Sequence, residues 1–276
     1  MYSRAYVEIT NVCNMHCSFC HGHHRPPRRM SREEFSHVLS ELEGKTGYVY
    51  YHLMGEPLCH PDLPLFLEMA RERGFRSILT TNGTLLKKRE EELLSSPLHK
   101  VSISLHSFEE GSEESFWQYL SEVSGFAVKA AGRGVIVVLR LWNRGHDDGR
   151  NDRILSFLQR EISGDWVENP RGIRIREKLH LEWGDRFAWP DKEAPLGDER
   201  VYCYGLSDHF GVLSDGTVVP CCLDSEGTMA LGNLFSEPLS EILSGERAAR
   251  IVKGFRERNV KEELCRRCGY ARRFSK

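Results

Sequence analysis

The densest chemistry in this chain lies in eight residues, Cys13-Asn14-Met15-His16-Cys17-Ser18-Phe19-Cys20, which carry three thiols. Thiolates are soft metal ligands. Three of them can hold three irons of a cubane iron–sulfur cluster. Four cysteines close such a cluster, so a missing ligand leaves one iron open. An open coordination position is also what separates a catalytic metal site from a structural one. A zinc site is the alternative. It needs a fourth ligand, which His16, His21, His23 or His24 could supply, although structural zinc sites usually pair one cysteine hook with a distant second pair.

A second group lies near the other end of the chain. Cys203 precedes Gly216 and the pair Cys221-Cys222, and Cys265-Arg266-Arg267-Cys268 follows. Four thiols there complete an iron–sulfur site with no open iron, which suits electron transfer or structural support. A four-cysteine structural zinc is again the alternative. Cys59, beside His60 and Pro61, reads as a small buried apolar residue.

The rest of the composition sets the frame. The chain has 276 residues, 40% hydrophobic and 28% charged, as expected of a globular protein with a well-buried core. No apolar run precedes the first cysteines, so no secretory signal is read and a cytoplasmic protein is expected. The longest apolar stretch, 134–142, is interrupted by Arg140 and is too short to span a bilayer, so no membrane partner is expected. Grouped cysteines in such a chain more often bind metal than form disulfides. Net charge is −2, yet residues 245–276 hold 11 Lys/Arg against 4 Asp/Glu. This basic tail reads as a solvated helix face. Nucleic acid is not expected as a partner, although the tail keeps RNA open.

The cysteines need a scaffold, and the pattern supplies one. Strands are predicted over 6–10, 48–54, 77–81, 101–105 and 135–141. Helices are predicted between them, over 65–73, 89–95 and 116–131, with a capping box at Ser31-Arg32-Glu33-Glu34 starting another. This alternation implies parallel βαβ units and an α/β fold. A helix over 154–162 and a strand over 178–183 follow. After residue 200 the pattern changes to a hairpin turning at Ser214-Asp215-Gly216 and a helical tail. The chain is therefore divided into residues 1–195 and 196–276.

Cys-x3-Cys-x-aromatic-Cys after the first strand resembles the signature of the radical S-adenosylmethionine (SAM) superfamily. Met54-Gly55-Glu56-Pro57 is similar to that family's Gly-Gly-Glu motif, with Met54 at the first position, and Thr81-Asn82-Gly83 is also typical. The resemblance implies a partial (β/α)6 TIM-like barrel with its chemistry at the C-terminal strand edge. It implies a [4Fe–4S] cluster on Cys13, Cys17 and Cys20. It implies contacts to SAM from Phe19, Gly55, Glu56, Pro57, Thr81, Asn82, Ser104 and Arg140. His52, His106 and Trp142 are then candidate substrate contacts. The spacing Cys-x12-Gly-x4-Cys with a later Cys-x2-Cys resembles the SPASM/twitch extension. It implies a second [4Fe–4S] cluster on Cys203, Cys221, Cys265 and Cys268, with Cys222 competing with Cys221. The whole chain resembles the queuine lyase (queuine salvage) group of gut Firmicutes, on the segments 51–58, 104–108, 140–143 and 219–224.

What this implies is a radical SAM lyase that releases queuine from queuosine or queuosine 5′-phosphate. Its partners would be a nucleoside or nucleotide substrate and an external one-electron donor such as flavodoxin or ferredoxin. The first cysteine stands at residue 13, so no leader-binding domain is expected ahead of the barrel, and a small molecule is favoured. The alternative is a radical SAM/SPASM dehydrogenase, epimerase or maturase acting on a sugar, peptide or RNA. A binding module that has lost catalysis is disfavoured by the intact Gly55-Glu56.

Overall fold

The computed structural model describes residues 1–109 and 111–274. Ser275 and Lys276 of the basic tail lie outside them. Strand β1 (Arg4–Val7), helix α1 (Arg32–Leu42), β2 (Tyr48–Tyr51), α2 (Leu63–Glu72), β3 (Arg76–Thr81), α3 (Glu90–Ser95) and β4 (Leu98–Ser104) open the chain. Helix α4 (Glu113–Gly132), β5 (Ile136–Arg144), α5 (Arg150–Glu161), β6 (Val167–Asn169), β7 (Gly172–Arg176) and β8 (Leu179–Asp185) follow. The chain ends with β9 (His209–Val212), β10 (Thr217–Val219), β11 (Gly232–Asn233), α6 (Leu239–Ser244), α7 (Glu246–Arg256) and α8 (Glu263–Arg266).

All eleven strands form one sheet, in the order β11-β10-β9-β1-β2-β3-β4-β5-β8-β7-β6. Seven of them run parallel, and β1 to β5 with β8 make the (β/α)6 arrangement, to which β9 adds at the β1 edge. Two features are absent from the pattern reading. The strand over 178–183 is the last limb of an antiparallel β6-β7-β8 meander. The hairpin β9–β10 joins the barrel sheet itself, because β9 pairs in parallel with β1 over four residues.

Register explains why one face is apolar. Tyr51, Leu79, Val101, Val137 and Leu179 are successive partners across five strands, and all are buried. This row faces the helices, whose Phe35, Leu39, Phe66, Leu67, Leu120, Val123, Phe126 and Leu158 share its core. Each such side chain contributes about 1.5–3 kcal/mol by leaving water. The other row is polar: Thr80 pairs with Ser102, Ser104 with Arg140, and Arg140 with Glu182. Parallel strands keep partnered side chains on the same side, so these residues line the concave face.

Helix α1 starts as the sequence predicts. The Ser31 hydroxyl accepts the Glu34 N–H at 3.2 Å and the Glu34 carboxylate accepts the Ser31 N–H at 2.7 Å. No described helix is long and apolar enough to cross a membrane.

Candidate functional site

The three clustered cysteines sit on a long loop whose base is closed by side chains. Thr10 Oγ1 donates to the Arg28 carbonyl at 3.0 Å, Asn11 Nδ2 donates to the Pro26 carbonyl at 2.9 Å, and Asn11 Oδ1 accepts the Arg28 N–H at 2.7 Å. Arg25, midway along the return limb, donates to both oxygens of Glu8 at 2.8 and 2.7 Å. Glu8 is fully buried. It also accepts the Met54 N–H and both the N–H and hydroxyl of Ser214. Burying a carboxylate is costly unless it is paired and hydrogen-bonded. Glu8 meets both conditions and ties β1, the cysteine loop, the end of β2 and the β9–β10 turn together.

The segment after β2 clamps the loop from the other side. Gly55 has φ +75°, and a Cβ there would lie 2.4 Å from the Thr10 carbonyl oxygen, so only glycine fits. The Glu56 N–H donates to the Val12 carbonyl at 2.9 Å, one residue before Cys13. The Glu56 carboxylate is buried and accepts the Leu58 and Asn82 N–H groups at 3.0 and 2.7 Å. Burial pushes the Glu56 carboxyl up to about 7, against these N–H groups and the Thr81 side chain, which favour its charged form. Asn82 Nδ2 donates to Asn14 Oδ1 at 3.1 Å, and Asn14 Nδ2 donates to Thr84 Oγ1 at 2.8 Å. Glu56 and Asn82 therefore position the cysteine loop, whatever else they bind. Pro57 opens a short 3-10 turn beside them, and Thr81 lies on the helix-facing row and accepts the Gly83 N–H.

Cys13 and Cys20 are exposed and Cys17 is half-buried. Burial pushes the Cys17 thiol up to about 12, and nearby Cys20, Glu109 and Cys13 add to the effect. Neighbouring thiols that oppose one another's ionisation become three thiolates when a cationic metal core binds them. Phe19 packs against His106 with ring centroids 4.8 Å apart, and its carbonyl accepts Trp189 Nε1–H at 2.9 Å. His106 Nδ1 lies 3.0 Å from the Arg140 carbonyl and 3.3 Å from the Trp142 N–H. The Arg140 guanidinium stacks 4.6 Å over the Trp142 ring. His52 lies edge-on to Tyr6 at 5.2 Å, and burial, then the Arg140 charge, lowers it to about 3. Ser104, at the end of β4, pairs in register with Arg140.

The second cysteine set comes together from three segments. Burial raises the Cys221 and Cys265 thiols, and Cys203 lies within charge range of Cys221, Cys265 and Cys268. Cys222 lies beside Cys221 and within charge range of Cys203, but its thiol also meets the Tyr6 hydroxyl on the concave face of the sheet. Among the described residues, no three His, Cys, Asp or Glu side chains converge around one point as a single metal ion requires. A tetrahedral zinc would bring its sulfurs to about 3.8 Å of one another, given Zn–S near 2.3 Å. A cubane gives each thiolate its own iron and holds the sulfurs farther apart. The soft thiols of both sets are the donors that iron–sulfur clusters take.

In the sequence Glu8 stands out as an inward-capable strand position, open to a core role or a substrate contact, and here it is paired with Arg25 and Ser214. Arg25, Asn14, Glu109, Trp189 and the concave-face Thr80, Lys100, Ser102 and Glu182 were not singled out from sequence. For the last four the signal was present as polar residues at every second position of otherwise apolar strands.

Comparison with known proteins agrees with this geometry. The radical SAM superfamily profile matches residues 7–148, and the SPASM iron-sulfur cluster-binding domain profile matches residues 203–269. The GTP 3′,8-cyclase of Aquifex aeolicus is 30% identical over 240 residues, covering 78% of this chain and 75% of that one. The PqqA peptide cyclase of Streptomyces rochei is 26% identical over 304 residues, covering 95% and 80%. Other relatives match over less: the probable GTP 3′,8-cyclase of Sulfolobus acidocaldarius is 33% identical over 107 residues, 37% of this chain and 34% of that one. The chain spans between a third and about two-fifths of the length of several such curated relatives. Among solved structures, anSMEcpe with bound AdoMet and a Kp18Cys peptide has a TM-score of 0.67 at 14% identity, covering 99% of this chain and 94% of that one. BtrN in complex with AdoMet and 2-DOIA has a TM-score of 0.61 at 18% identity, covering 97% and 93%. On the profile spanning half its length, on the α/β barrel and on the cysteine loop at the strand ends, this chain belongs to the radical SAM superfamily and carries a SPASM iron–sulfur region.

Proposed function

We propose that this enzyme acts on a nucleoside or nucleotide, and that the reaction is removal of a ribose hydrogen from queuosine or queuosine 5′-phosphate with release of the base queuine. Bound to the first cysteine loop, a [4Fe–4S] cluster supplies the electron that cleaves SAM and so gives the 5′-deoxyadenosyl radical that abstracts hydrogen. Cys13, Cys17 and Cys20 hold that cluster, and Cys203, Cys221, Cys265 and Cys268 hold a second [4Fe–4S] cluster. Gly55, Glu56, Asn82, Ser104 and Arg140 orient SAM, while Phe19, Pro57 and Thr81 support that site. His52, His106 and Trp142 face the substrate. Flavodoxin or ferredoxin serves as electron donor. We assign the cluster-and-SAM barrel to residues 1–195 and the second cluster region to 196–276.

One observation carries the substrate reading. The concave face is polar and aromatic, with Trp142, His106 and Arg140 gathered at the ends of β4 and β5 beside Phe19. A planar base needs an aromatic wall and a few fixed polar groups. The resemblance of the motif segments to those of queuine lyases, and the likeness to a GTP-named cyclase, favour a purine-type substrate. A peptide is the second reading, favoured by the 26% identity to a PqqA peptide cyclase over 95% of the chain.

The test is anaerobic turnover with SAM and dithionite on queuosine, queuosine 5′-phosphate, guanosine and a cyclic peptide. Free queuine with 5′-deoxyadenosine in proportion supports the lyase. Stimulated SAM cleavage by a peptide or sugar alone overturns it.

A further inference from the structure

The polar row of the concave face holds more hydrogen-bonding capacity than the protein itself satisfies. His52 Nδ1, Thr80 Oγ1, Ser102 Oγ and Arg140 Nε are all buried, and none has a hydrogen-bond partner among the described residues. Thr80, Ser102 and Arg140 come from the consecutive strands β3, β4 and β5, and His52 directly follows β2. Thr80 and Ser102 are register partners. Arg140 stands two residues beyond the Ser102 partner Val138, and His52 two beyond the Ile78 partner Tyr50. All four therefore project to the same side. Buried polar atoms are almost always paired, and a group of orphans on one wall marks the place of an absent partner.

Charge points the same way. Lys100 occupies the row below Ser102 on that face, half-buried, and Arg140 the row above. Neither forms an ion pair within 4 Å among the described residues, although Arg140 is the register partner of Glu182. Burial lowers both, and the Arg140 charge further opposes that of Lys100. Arg171 and Arg4 also lie within charge range of Lys100, and Glu182 is the carboxylate that opposes these cations. Such an imbalance destabilises the empty protein and favours an anion.

We propose that the barrel lumen is an oxyanion-and-hydroxyl subsite, in which Lys100 and Arg140 hold the phosphate of a phosphorylated polyol while Thr80, Ser102 and His52 bond its hydroxyls. The inference rests on the small-molecule reading above and narrows it to phosphate esters, for which the nucleoside 5′-phosphate is the natural class. Because Arg140 is also placed beside SAM, its share is separable only with SAM bound. Lys100 lies two rows lower and belongs to the substrate alone.

The experiment measures thermal midpoints of the anaerobically reconstituted, SAM-saturated protein at fixed ionic strength. The probes are inorganic phosphate against chloride, ribose 5-phosphate against ribose, guanosine 5′-monophosphate against guanosine, and queuosine 5′-phosphate against queuosine. Phosphate-bearing members should raise the midpoint more than their neutral partners, by a few degrees where binding is roughly ten-fold tighter or more. Lys100→Met should erase that preference and raise the midpoint of the ligand-free protein, the reverse of what loss of a structural residue does. Ser102→Ala, a smaller change, should weaken polyol phosphates but not inorganic phosphate. Equal shifts within every pair, including no shift at all, overturn the subsite, as does a preference unchanged in Lys100→Met. If guanosine 5′-monophosphate shows the effect but neither queuosine form is turned over, the subsite stands and the lyase reading falls. If queuosine is cleaved with no phosphate preference, the reverse holds.

Discussion

Gly55 and Glu56 show how two residues can serve a site mainly by holding its loop. Gly55→Ala would force a Cβ into the Thr10 carbonyl, 2.4 Å away, in a left-handed conformation. The expected cost is about 2–4 kcal/mol of stability, read by chemical denaturation, with a parallel loss of iron from the first site. Glu56→Gln keeps the shape but turns an amide NH2 toward either the Leu58 or the Asn82 N–H. The lost acceptor should cost about 1–3 kcal/mol and weaken SAM binding roughly ten-fold. Unchanged SAM affinity would leave Glu56 as a loop anchor only. His52 makes a separate pH prediction. Its folded value of about 3 lies below the usual 6.5, so the unfolded chain binds the extra proton in that window. Stability is then full above pH 6.5 and falls as pH drops toward 3, by up to ~1.4 kcal/mol per pH unit. Denaturant midpoints between pH 7 and 5 should show a shallower slope in His52→Gln than in the parent.

At the scale of elements, the turn after β10 sorts two adjacent cysteines. Cys221 lies within charge range of Cys203 and Cys265, whereas the Cys222 thiol hydrogen-bonds with Tyr6. Cys221→Ala should therefore lose or damage the second cluster, and Cys222→Ala should keep it. Iron and sulfide analysis of the two variants decides, and the opposite result would exchange the two roles. The same region held its turn in plain view, since Ser214-Asp215-Gly216 carries the hairpin and Gly216 has φ +85°. Strand β6 was not visible, because Val167–Asn169 is exposed throughout and leaves no apolar alternation to detect.

For the whole molecule, Glu8 links elements far apart in sequence. Glu8→Gln leaves Arg25 with a weaker partner and should destabilise by about 3 kcal/mol or more. Iron should be lost first from the N-terminal site, whose loop Arg25 braces. Fully reconstituted protein should hold about eight irons, and replacing Cys13, Cys17 and Cys20 together with Ala should leave about half and abolish SAM cleavage. SAM cleavage surviving in that variant would end the cluster assignment.

Local rules wrote much of this protein in its sequence. Cysteine spacing, the Ser31 capping box, the strand-ending Gly55 and the alternation of strands with helices all act within a few residues, so they were legible one segment at a time. The family resemblance rested on those same segments. Other features depended on the assembled sheet. Parallel pairing of β9 with β1 joins residues about 200 apart, and no local signal announces it. Only that pairing brings Ser214 to Glu8 and Cys222 to Tyr6. Register across β2 to β5 likewise decided that His52, Thr80 and Ser102 share one wall with Lys100 and Arg140. Each strand alone shows alternation, but which side closes into a lumen is set by where the helices pack, and that is a property of the tertiary structure.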